Sequence, residues 1–76
     1  MRSAYVLLTV ETEKIPTVLK DLPGITGVVE SYALVGVYDA ICKIEAESLQ
    51  DLKNVIAREI RGIDGINATM TLVSFE

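Results

Sequence analysis

Residues 33–46 read ALVGVYDAICKIEA, and the way this stretch folds decides the topology of the chain. It holds two runs of strand-forming residues broken by one glycine, Gly36. Two strands with so little chain between them make a hairpin. With Gly36 and Val37 as its central pair the turn would be type II′, which takes glycine first. Directly after the turn stands Asp39, between Tyr38 and Ala40. A fold needs the glycine there, but does not obviously need the acid.

Upstream of the hairpin, residues 4–10 (AYVLLTV) form an apolar run of strand length. Ile15, Val18, Leu19 and Leu22 then recur on one face of a helix. Thr12 can cap that helix, or it can begin at Pro16, where a missing N–H does no harm. Pro23-Gly24 stops it. Residues 25–35 (ITGVVESYALV) are β-rich and lead into the hairpin. Downstream, Ser48 with Asp51 three residues on is a capping box, and Leu49, Leu52, Ile56, Ile60 and Ile63 give the clearest helical periodicity in the chain. Gly62 and Gly65 end this helix, and residues 66–75 (INATMTLVSF) make the last strand.

The order is therefore β-α-β-β-α-β. A faint internal repeat, LPGITGVVESYALV against IDGINATMTLV, fits two β-α-β halves. The expected fold class is α+β: a ferredoxin-like, antiparallel four-stranded sheet with both helices on one face. Nothing marks a linker or a second boundary, so residues 1–76 read as a single domain.

A sheet covered on one face and wet on the other should alternate apolar and polar residues. Here the second face is semi-apolar. Tyr5, Leu7 and Thr9 oppose Ala4, Val6, Leu8 and Val10, while Met70, Leu72 and Ser74 oppose Thr69, Thr71, Val73 and Phe75. Ile41 interrupts a row otherwise formed by Asp39, Lys43 and Glu45. Half of the 76 residues are hydrophobic, more than a body this small readily buries. The expectation is a dimer with two sheets packed face to face, and a larger ring above it.

Composition narrows the function. The net charge of −4 disfavours nucleic acid, since phosphate contacts need clustered cations. Lys53, Arg58 and Arg61 share one segment, and the ordinary reading is a solvated helix face. The apolar runs are too short to cross a bilayer, and no secretory signal is expected, which leaves a cytoplasmic protein as the default. Histidine is absent and Cys42 is the only cysteine, so the usual general base, the usual metal ligands and a disulfide are missing. An enzyme is not expected, and neither a metal nor a cofactor is implied. Cys42 reads as a core residue, and Glu11/Glu13 and Glu45/Glu47 as acids complementing helix starts.

Asp39 has an ordinary role, as a solvated strand end or a hydrogen-bond partner of the turn, and a functional one, as the counter-charge for an ammonium group. Free N–H groups of the turn beside one carboxylate suit an α-amino acid, which carries both charges. Thr69 and Thr71 add hydroxyls on one face of the last strand, although β-branched residues also simply fill a pleated surface.

Three segments resemble a known family. LVGVYDAICKIEAESLQDL resembles the Gly-x-Tyr-Asp segment of the leucine- and asparagine-responsive (Lrp/AsnC) regulators, in their C-terminal effector module, the RAM domain. IDGINATMTLVSFE is similar to that module's closing stretch, and LPGITGVVESYALVG to its helix exit and second strand. The resemblance covers residues 3–75. It implies dimers with facing sheets, often octamers of four dimers, and an amino acid or related effector bound between dimers. By motif matching it places Gly36, Val37, Tyr38 and Asp39 at that site, with Thr69, Thr71 and Leu72 on the matching part of the final strand. The full regulators carry an N-terminal helix-turn-helix domain. This sequence resembles the stand-alone members, which implies no direct contact with DNA and mixed assembly with a full-length regulator. Three rivals stand beside this reading: an ACT-like amino-acid-binding module, a small dimeric α+β barrel enzyme disfavoured by the missing histidine, and a purely structural oligomerisation module without a ligand.

Overall fold

The computed structural model describes residues 1–74. The elements run β1 (Arg2–Val10), α1 (Ile15–Asp21), β2 (Val28–Ala33), β3 (Ala40–Ala46), α2 (Leu49–Asn54) and β4 (Ile66–Val73). All strand pairs are antiparallel in the order β2-β3-β1-β4, the ferredoxin-like arrangement expected. β1 is an inner strand, with β3 on one side and β4 on the other.

Local chemistry accounts for the helix ends. Pro16 sits in the first turn of α1, where its missing N–H is no loss, and no side chain caps that end. Leu22–Gly24 winds one 3₁₀ turn before the chain leaves. Ser48 caps α2, its Oγ accepting from the Asp51 amide at 3.1 Å. The helix then widens into a π-helix over Val55–Ile60, and the Arg61 amide reaches back five residues to the Ile56 carbonyl at 3.1 Å. Apolar spacing does not reveal such widening, because Ile56 and Ile60 face inward in either winding.

The core lies between the sheet and the helices. Ala4, Val6, Leu8 and Val10 of β1 and Ala40, Cys42 and Ile44 of β3 point into it, against Val18, Leu22, Leu52 and Ile60. Each fully buried Leu or Ile stabilises the fold by about 1.5–3 kcal/mol. The opposite face carries Tyr5, Leu7, Ile41, Met70 and Leu72, as the alternation predicts; Tyr5, Met70 and Leu72 are exposed. Phe75, which the same alternation assigns to the helix side, lies outside the described residues.

The hairpin differs from its expectation. β2 stops at Ala33 and β3 begins at Ala40, so residues 34–39 form a longer connection rather than a two-residue type II′ turn. The Leu34 amide donates to the Asp39 carbonyl at 2.9 Å and closes its base. Leu34, Val35 and Val37 look strand-like by composition, but they find no partner strand and remain exposed. Gly36 adopts φ +142°, which side-chain-bearing residues rarely take. β2 also starts later than its composition suggests, at Val28, with a register shift between Val28 and Glu30.

Burial pushes the Cys42 thiol up to about 11. A raised native pKa leaves this contribution intact below the unfolded value of about 8.5. It is then lost as pH rises through the native value. Urea unfolding from pH 8 to pH 11 should therefore show stability falling more steeply in the native sequence than in Cys42→Ala. Parallel curves would show that the thiol is not sequestered.

Candidate functional site

The site is built around the point where β3 begins beside β1. Regular pairing of the two strands ends at Leu8 opposite Ala40. The Asp39 amide still donates to the Leu8 carbonyl at 2.8 Å, but beyond it the chain has turned away into the connection. That leaves the Val10 amide without a β3 carbonyl. The Asp39 carboxylate takes its place, Oδ2 accepting from the Val10 amide at 2.8 Å. An aspartate is thus used where a strand carbonyl is missing. The bond falls where the β1–β4 register also shifts, between Thr9 and Val10.

The residues singled out from sequence fall into three places. Gly36 and Val37 form the exposed tip of the connection. Tyr38 is half-buried on the helix-free face, and its hydroxyl reaches past β1 to the Met70 sulfur on β4 at 3.4 Å. Leu72 lies on that same face, opposite Tyr5. Thr69 and Thr71 point the other way, opposite Leu8 and Val6 on the helix side. Tyr38, Asp39 and Thr69 therefore lie near the same end of β1, Tyr38 and Thr69 on opposite faces of the sheet, whereas Thr71 and Leu72 lie further along, again on opposite faces. Among the described residues of one copy, none of the concavities gathers all seven.

Two concavities lie near these residues instead. A recess of about 100 Å³ on the helix-free face lies among Tyr5, Tyr32, Ile41 and Lys43. Here Lys43 stands 5.8 Å above the Tyr5 ring and pairs with Glu45 at 3.6 Å. The Tyr32 hydroxyl donates to Glu30 at 2.8 Å, and this bond raises its pKa. The second is an open groove of about 360 Å³ between α2, its π-helical continuation and β4. Thr71 lines it together with Lys53, Ile56, Ala57, Arg61 and Val73. The sequence held a trace of this groove, since Lys53, Ala57 and Arg61 recur every four residues. Reading Lys53, Arg58 and Arg61 as a solvated face missed the apolar wall beside Lys53 and Arg61.

The profile of the Lrp/AsnC ligand binding domain matches residues 3–76. The chain belongs to the Lrp/AsnC family. It is 36% identical over 59 residues to the regulatory protein AsnC of Haemophilus influenzae, a stretch that is 78% of this chain and 39% of that protein. The crystal structure of FFRP-DM1 superposes with a TM-score of 0.92 at 32% identity, covering 97% of this chain and 99% of that one. AsnC of E. coli superposes with a TM-score of 0.89 at 25% identity, covering 99% of this chain and 51% of that one. The chain spans between 39% and 51% of the curated relatives it matches. Those relatives are named as transcription regulators, and the family profile that matches this chain is that of the Lrp/AsnC ligand binding domain.

Two further facts bear on this Lrp/AsnC domain. Among the described residues no three His, Cys, Asp or Glu side chains gather as a metal site. No helix among them is long and apolar enough to cross a membrane.

The Asp39–Val10 bond has a direct test. Asp39→Ala leaves the Val10 amide without its acceptor and should cost about 1–3 kcal/mol in urea unfolding. Asp39→Asn keeps an acceptor oxygen and should cost clearly less. Equal losses in the two variants would show that the bond contributes nothing to the fold.

Proposed function

We propose that this Lrp/AsnC domain is a self-associating effector module that senses an amino acid. Two copies pair through the helix-free faces of their sheets, and pairs join into larger rings, with eight chains as the expected closed form. The effector binds between pairs, at the Gly36–Asp39 segment. Its ammonium group meets the Asp39 carboxylate and its carboxylate meets backbone amides of the connection. Tyr38, Thr69, Thr71 and Leu72 complete the pocket from more than one copy. The module works in the cytoplasm without catalysis or cofactor, and touches neither nucleic acid nor membrane. It acts by mixed assembly with a full-length Lrp/AsnC regulator.

The observation that carries this reading is the state of the connection. Among the described residues the amides of residues 35–38 donate to no backbone carbonyl, and Asp39 pairs with no cation. Donors and one carboxylate thus stand together at an exposed corner, as a zwitterion requires. The helix-free face supports the pairing. Tyr5, Tyr32, Met70 and Leu72 leave a broad apolar surface uncovered, an arrangement that favours association. One observation favours the rival reading of a structural module without a ligand. Asp39 already has a use, since it holds the Val10 amide.

Asp39→Asn separates the two readings, because it preserves an acceptor for Val10 and removes the charge. Calorimetry of the native chain against each amino acid should find at least one that binds. Asp39→Asn should weaken that binding by about tenfold to a hundredfold, the equivalent of roughly 1.5–3 kcal/mol for a charge-assisted bond. Heat from no amino acid would favour the structural module. Binding that Asp39→Asn leaves unchanged would remove Asp39 from the site.

A further inference from the structure

The sheet has two edges, and they are not alike. β2, at one edge, carries Glu30 and a register shift between Val28 and Glu30, and a charge or a bulge on an outer strand discourages a further strand from pairing there. β4, at the other edge, reads INATMTLV, with no charge and no proline. Its register against β1 shifts only between Thr9 and Val10, so residues 68–73 pair regularly. The Ser74 amide donates to the Ser3 carbonyl at 2.8 Å, and opposed residues in an antiparallel ladder alternate between bonded and non-bonded pairs. The backbone groups of Thr69, Thr71 and Val73 therefore point away from β1, to the open edge. The side chains of the same residues face the helix side, where Thr71 and Val73 form one wall of the α2–β4 groove.

The other wall holds two cations. Lys53 and Arg61 both line the groove, and among the described residues neither makes an ion pair. At 3.6 residues per turn, the α-helical spacing from Lys53 to Arg61 would set them about 80° apart around the axis. The π-helical winding over Val55–Ile60 turns less per residue and takes up most of that offset, so both reach one groove. Ile56 and Ala57 lie between them. At 1.5 Å per residue the two cations stand about 12 Å apart along the helix. Four steps of an extended strand cover a similar length, about 13 Å. Ala46, just before α2, pairs with Arg2 beside the Val73 end of β4, so Lys53 lies toward Val73 and Arg61 toward Thr69.

We infer that the open edge of β4 takes up an extended segment of a partner protein as a fifth strand, with the pattern acid-x-apolar-x-acid. The central residue stands opposite Thr71 and exchanges backbone bonds with it. Opposed side chains share a face, so its apolar group enters the groove against Ile56 and Ala57. The acids two positions to either side stand opposite Thr69 and Val73 and meet Arg61 and Lys53. Charge complementarity selects this occupant, because a chain of net charge −4 leaves these two cations unpaired beside an apolar floor. The site uses the backbone of β4 with Lys53 and Arg61, and requires neither the pairing nor the effector proposed above.

The probe is a fluorescein-labelled peptide, TETVTET, added to the isotope-labelled full chain. Anisotropy reads binding, and amide hydrogen exchange reads its place. TETVTET should bind about tenfold more tightly than TKTVTKT at low salt, as charge-assisted bonds require. It should slow exchange at Thr69, Thr71 and Val73 but not at Met70 and Leu72, whose amides already face β1. Lys53→Glu with Arg61→Glu should reverse the preference in favour of TKTVTKT, a result that loss of the fold does not produce. No binding of TETVTET, equal binding of the two peptides, or binding without slowed exchange at Thr71 would overturn the inference. Slow exchange at Thr71 in the chain alone would also overturn it, by showing a second copy already on the edge. An amino acid that binds while TETVTET does not would remove the edge site and leave the sensor reading intact.

Discussion

The Val10 amide donates to the carboxylate of Asp39, and much of this corner depends on that bond. β1 is an inner strand that pairs with β3 and β4, and it is longer than the stretch β3 can satisfy. Where β3 gives way to the 34–39 connection, a backbone donor would be stranded beside a closely packed core. A buried amide without a partner costs more than an ordinary hydrogen bond contributes. A short side chain with a strong acceptor, placed on the last residue before β3, solves this without extending the strand. The connection is then free to be irregular, and its amides and apolar tip can face outward instead of pairing with each other. The acid after the turn is therefore structural first, and this use also fixes where its charge is presented.

The sheet imposes a second constraint. Both helices lie on one side, yet the other side carries Tyr5, Leu7, Ile41, Met70 and Leu72. A chain this short cannot supply a further layer of its own to cover them. Charged groups on that face are not scattered at random. Lys43 lies against Tyr5 and pairs with Glu45, while Tyr32 holds Glu30, so the polar groups there are largely satisfied from within the face. Polar groups already paired are cheaper to bury against a second copy than free ones. This is the physical case for pairing through the sheets, and it is independent of the family match.

The fold was legible because each signal was local and strong. Ser48 sits at the cap it was expected to form, Pro16 lies in the first helical turn, and the alternation in β1, β3 and β4 sorts correctly into two faces. The hairpin was legible as a hairpin but not in its length. Val35 and Val37 have strand-like side chains, and only the backbone reveals that they have nothing to pair with. The π-helical winding after Asn54 left no trace, since apolar spacing tolerates either winding there. The candidate site was legible in part. Asp39 stood out, yet its tie to Val10 depends on where β3 ends, which spacing alone does not set. Thr71 and Leu72 are adjacent in sequence and on opposite faces in space, so a motif that joins them describes more than one surface. The α2–β4 groove was missed because Lys53, Arg58 and Arg61 on one segment read as solvated when the neighbouring edge strand is unknown.

The most direct test of self-association is the molar mass in solution, measured by light scattering during size-exclusion chromatography with and without a pool of amino acids. A single chain weighs 8.3 kDa. The apolar sheet face predicts a mass of at least two chains in buffer, shifting to a larger closed assembly when the pool contains the effector. A mass of one chain at all concentrations, unchanged by the pool, would contradict it, since the helix-free face would then be stable in water without a partner.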